Sequence, residues 1–172
     1  MIMPRGQQLL LPVNPVFIGA SLVAALAFNM LPLGRAPWMP DALIVLLAFW
    51  GVHQPLRVGM GIAFLLGLCM DVQQSALLGQ HALAYVALLY GTERIHRRVL
   101  WFRPLEQSLQ MIGLFFAAHA VHLVVGMGAG GAWPGFSMLL SPLFETLLWP
   151  LASWVLLAPQ RRSLDHNENR PQ

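Results

Sequence analysis

Inside the apolar stretches of this chain only a few side chains have the chemistry for a site. His119 and His122 form H-x-x-H, a spacing that puts both on adjacent parts of one helix face. Zinc takes three or four ligands, so this pair alone makes a poor metal site. Glu145 lies in the following apolar stretch. If both stretches are helices leaving one hairpin, depth can be counted: Met127 to His119 and Ser137 to Glu145 are each eight residues. At about 1.5 Å per residue, both side chains lie roughly 12 Å from the hairpin. The count predicts a hydrogen bond or ion pair between His119 and Glu145, with His122 beside it. Against that structural contact stand separate satisfaction by backbone or water, a proton relay, and metal binding.

Gly59, Ala63, Gly67 and Asp71 recur every four residues and share one helix face. Small residues at that spacing let a second backbone approach closely in lipid. A carboxylate near the membrane boundary turns toward protein or water. Internal packing, with Asp71 at a wet helix end, is the plainer reading. A partner-binding or gating carboxylate is the sharper one. Asp41 directly follows Pro40 and suits the positive N-terminal end of a helix. Capping is the main reading there, and solute binding the lesser.

The elements that position these groups follow from composition and from arginine. The chain is 57% hydrophobic and 10% charged, too few charges for a soluble surface. All ten of its cationic residues are arginine. Nine lie in alternate gaps between six apolar stretches: Arg5; Arg57; Arg94, Arg97, Arg98 and Arg103; Arg161, Arg162 and Arg170. Only Arg35 breaks the parity. Cytoplasmic loops retain arginine, so the pattern predicts six crossings with both termini inside. The pI near 10.0 then reflects topology and contact with lipid headgroups, not nucleic acid. The lone Cys69 excludes an intrachain disulfide.

The expected fold is all-α: a compact bundle of six transmembrane helices forming one domain over residues 1–158. The spans fall near 15–33, 37–52, 58–72, 76–92, 108–127 and 137–158, and 159–172 form a disordered cytoplasmic tail. Spans two and three are short. A single re-entrant hairpin would bury Arg57 at mid-membrane at a cost of several kcal/mol, so two short spans are preferred. The N-terminus imitates a signal peptide, but Pro12, Asn14 and Pro15 interrupt its apolar run, so no cleavage is expected. Pro142 and Pro150 should loosen the sixth helix. The glycine-rich stretch 126–135 reads as an outer hairpin, with Trp133 at the interface. Arg94, Arg97, Arg98 and Arg103 belong to an inner loop whose Trp101 and Phe102 either lie in the interface or dock a cytoplasmic partner. No phosphate loop, nucleophile elbow or H-E-x-x-H metal motif is present, so neither catalysis nor a cofactor is expected.

Six spans in this length, Pro40-Asp41 opening the second span and Gly67-Leu68-Cys69-Met70-Asp71 closing the third make a combination. Leu77-Leu78-Gly79 and the arginine-rich loop after the fourth span complete it. Together they resemble the rod shape-determining protein MreD family. The resemblance covers most of the chain, and Asp71 with its preceding glycines matches the family pattern. It implies a non-enzymatic scaffold in the bacterial inner membrane that binds MreC. Such a scaffold helps couple MreB to RodA and its penicillin-binding partner in peptidoglycan synthesis. It also implies a fold like that of the substrate-binding subunits of energy-coupling-factor transporters. The alternative function is therefore a solute-binding subunit, with Asp71, His119 and Glu145 lining a pocket. Membrane lipids are expected neighbours, and homo-oligomerisation stays open.

Overall fold

The computed structural model describes residues 13–31 and 37–158. Arg5, Arg35, Arg161, Arg162, Arg170 and the expected tail lie outside these residues. Six α-helices follow one another: α1 (Pro15–Asn29), α2 (Ala42–His53), α3 (Met60–Gln74), α4 (Gln80–Val99), α5 (Pro104–Gly128) and α6 (Leu140–Leu157). A short 3-10 turn, Phe136–Leu139, leads into α6. No strand occurs among the described residues.

Helices α1, α2 and α5 begin where local chemistry satisfies free backbone N–H groups. Asn14 caps α1 by accepting from Val16 N, and Pro15 fills the first helical position. Asp41 caps α2 by accepting from Leu43 N and Ile44 N. This cap places the start of α2 at Ala42, later than the expected 37. Proline at 104 opens α5 well before the expected 108, and Glu106 accepts from Arg103 N.

The inner loop needs a correction. Helix α4 runs past Thr92 to Val99, so Arg94, Arg97 and Arg98 sit in its last turns, not in a loop. Only Arg103 flanks the next helix, as its N-cap residue. Cations suit a helix C-terminus because the last carbonyls point at them. Arg94 also lies 4.8 Å from the Tyr90 ring one turn back and donates to its hydroxyl at 2.5 Å. At α6 the helix passes through Pro150 unbroken.

Helix α2 is the central post. Every residue from Leu43 to Val52 except Leu46 is buried. It packs against α1, α4 and α6, while α3–α4, α4–α5 and α5–α6 pack as sequential neighbours. The exterior is apolar instead: Leu147, Leu109, Leu151 and Val124 are exposed, while Asp71 and Glu145 are wholly buried. Carboxylates inside and leucines outside suit a hydrocarbon surrounding, which removes the hydrophobic penalty on the outer face. By length and composition two helical stretches can cross a membrane, Pro104–Gly128 and Phe136–Leu157; α1, α2 and α3 are apolar but shorter.

Candidate functional site

The C-terminal ends of α1, α3 and α5 meet the N-terminal ends of α2, α4 and α6 around one cavity of about 950 Å³. Two polar networks stand in its walls. The first centres on Asp41. While one carboxylate oxygen caps α2, it also takes a 2.5 Å hydrogen bond from the Asn29 amide, and the other oxygen takes one of 2.5 Å from the Tyr85 hydroxyl. The Asp41 backbone N–H donates to Glu145 Oε1 at 3.1 Å. That same oxygen lies 2.9 Å from His119 Nε2 and accepts from the Ser141 hydroxyl at 3.1 Å. One carboxylate of α6 thus ties together α5, α6 and the start of α2.

The second network centres on Asp71, at the end of α3. It accepts from the backbone N–H groups of Gly79 and His81 at 2.8 Å each, and its Oδ1 lies 2.8 Å from His81 Nδ1. These bonds hold the α3–α4 turn, where Ser75 and Gly79 both take positive φ. His81 in turn meets His122 edge-on at 4.4 Å between ring centroids. Gln80 reaches across to the backbone carbonyl of His122 at 3.1 Å.

The H-x-x-H pair is therefore divided. His119 turns to Glu145 and Ser141, whereas His122 turns to Gln80 and His81. Among the described residues no three His, Cys, Asp or Glu side chains are placed to hold a metal ion. The small-residue stripe is divided as well. Ala63, Gly67 and Asp71 are buried, but Gly59 is the exposed N-cap residue of α3. A Cβ on Gly67 would stand 2.3 Å from Ala82 Cα, so α4 occupies the groove that Gly67 leaves. The expected pocket also has different walls. His119 lines the cavity, while Asp71 and Glu145 sit behind its surface, and Asp41, Tyr85, His81 and His122 take their places. Arg94, Arg97 and Arg98 are exposed at the opposite end of the bundle.

Asn29, Gln80, His81, Tyr85 and Ser141 escaped the reading of sequence alone. Each is a polar residue inside or beside an apolar run, which is a usable signal. Their partners lie on other helices and are invisible without the packing order.

An all-helical bundle with an apolar exterior and buried carboxylates defines a membrane-type helical protein. The family model described as "rod shape-determining protein MreD" matches residues 8–160, and the chain belongs to that family. It is 29% identical over 130 residues to the rod shape-determining protein MreD of Haemophilus influenzae, covering 73% of this chain and 76% of that protein. No solved structure matches the chain significantly. Membership supports a role in rod-shape determination, in a family of shape-determining structural proteins that is not a known enzyme family.

Proposed function

We propose that this protein is a non-enzymatic scaffold of the cell-elongation machinery, crossing the bacterial inner membrane six times with both termini in the cytoplasm. It binds MreC and so helps couple MreB to RodA and its penicillin-binding partner during peptidoglycan synthesis. The observation that carries the reading is the family match over residues 8–160. The apolar exterior and the described arginines, Arg57, Arg94, Arg97, Arg98 and Arg103, which share one end of the bundle, support the orientation. In this orientation Arg94, Arg97, Arg98 and Arg103 meet headgroups and cytoplasmic components, and the cavity opens outward. Ala63, Gly67 and Asp71 serve the pairing of α3 with α4, so MreC meets a lipid-facing helix surface instead. The His119–Glu145 contact, with His122 nearby, braces the outer ends of the helices.

Two measurements test this. Affinity-tagged protein in mild detergent is expected to co-purify MreC, and its depletion to turn rods into spheres; normal rods after depletion would overturn the role. Alkaline phosphatase fused after Gln74 or Gly130 is expected to be active, and after Phe102 inactive. The reverse pattern would overturn the orientation.

A further inference from the structure

A scaffold needs no cavity, yet this bundle holds one of about 950 Å³, large enough for a sizeable small molecule. Its polar belt includes Asp41, Gln80, His81, Tyr85, His119 and His122, from the start of α2, α4 and α5, together with Asn29, Gln73, Gln74, Ser75 and Ser141. Phe28, Met30, Leu77 and Met127 give the same cavity an apolar side.

The hydrogen-bonding sense of the belt can be worked out atom by atom. A neutral imidazole has one N–H and one bare nitrogen. Asp71 engages His81 through Nδ1, which leaves Nε2 as the ring nitrogen available to the cavity. Glu145 engages His119 through Nε2, which leaves Nδ1 as its other ring nitrogen. Gln80 spends an amide N–H on the His122 carbonyl and keeps its carbonyl oxygen. The Tyr85 hydroxyl gives its proton to Asp41 and keeps its lone pairs. Asp41 itself only accepts. The belt therefore mixes acceptors, led by the Asp41 carboxylate, with the amide and hydroxyl groups of Asn29, Gln73, Gln74 and Ser75, which can donate as well as accept. No arginine stands among the described lining residues. Within the lining, His122 Nε2 is buried without a hydrogen-bond partner. Orphan polar atoms are uncommon in finished interiors and fit a wall that another hydrogen-bonding group completes.

We propose that this cavity is a binding site for a non-anionic, hydroxyl-bearing small molecule of the polyol or amino-sugar type, whose groups can both donate and accept, with an apolar portion against the methionine-lined side. An anion would face the Asp41 carboxylate, with those of Asp71 and Glu145 close behind, and no arginine among the described lining residues to offset them. The site is separate from the scaffold role: binding can fail while shape control stands, and the reverse.

The test uses the full chain in lipid nanodiscs, with thermal unfolding followed by intrinsic tryptophan fluorescence. Glucosamine, glucose and glucose 6-phosphate serve as probes at millimolar concentration. Glucosamine or glucose is expected to raise Tm saturably, and glucose 6-phosphate to leave it unchanged. Gln80→Ala, which removes one acceptor from the cavity rim, is expected to weaken the effective probe about fivefold. Ala118→Met, which fills the floor, is expected to abolish the shift. An equal or larger shift with the phosphate ester would overturn the ligand class. Failure of both neutral and amino sugars to shift the wild-type protein would overturn the site, and that result does not depend on either variant folding.

Discussion

The two ends of this bundle are built from the same six helices and solve opposite problems. At the arginine-bearing end, large apolar rings interlock. Trp50 meets Phe17 and Phe49 edge-on, and Trp149 lies against Phe49 and Phe115. The two indole N–H groups are satisfied at once, by Ser21 at 2.9 Å and Gln107 at 3.2 Å. At the other end the helices stand around a cavity and are joined by carboxylates. Dispersion needs close approach and leaves no room. Hydrogen bonds across Asp41, Glu145 and Asp71 hold helix ends in register while leaving space between them. The comparison separates stability, expected mainly from the packed end, from recognition, expected at the open end.

Mutations that break one end and spare the other sharpen this division. The largest effect is expected from Trp149→Ala. It empties the centre of the aromatic cluster and strands the Gln107 amide, for a loss of about 3–5 kcal/mol. Thermal unfolding in nanodiscs reads it, and sugar binding in the surviving folded fraction should be retained. Next comes Asp41→Ala, which removes a helix cap together with the partners of Asn29 and Tyr85. A loss of about 2–3 kcal/mol is expected, together with loss of probe binding. Should Asp41→Ala destabilise more than Trp149→Ala, the open end would be the main source of stability and the comparison would reverse.

Gly67→Leu should cost about 1–3 kcal/mol, because any side chain there pushes α3 from the Ala82 backbone. Gly59→Ala, on the same sequence stripe but facing open space, should stay within about 0.5 kcal/mol. Equal effects would show that the stripe acts as a single face after all. The smallest change is expected from replacing Arg97 and Arg98 with Ala. Unfolding should barely move, while binding to anionic lipid should weaken by about 1 kcal/mol for each arginine, measured on vesicles with and without phosphatidylserine.

Sequence reading reached the elements further than the contacts. Long apolar runs mark helices because a lipid-facing helix is apolar on most sides, so six were legible. Their limits were less so. Pro37 looked like an opening residue, but the cap that starts α2 is Asp41. The arginines looked like loop, but α4 carries three of them. His119 and Glu145 were legible as a level pair because they flank one hairpin, where depth can be counted from a shared turn. Asp41 and Tyr85 are 44 residues apart. Nothing local tells that α2 lies against α4, so their contact waited for the fold. The Gly59 stripe misled in part because periodicity names a face without naming its neighbour.

Helix α2 has twelve residues, about 18 Å of helix, against a hydrocarbon layer of about 30 Å. In a bilayer its two ends cannot both reach the headgroups. Packed against the longer helices α1, α4 and α6, it ends in Asp41 on one side and His53 on the other. Crossing a bilayer as proposed, the bundle would therefore be thinnest along its own central post. The lipid around it would meet the longer outer helices instead, so the mismatch of α2 is taken up inside the bundle and not by the bilayer.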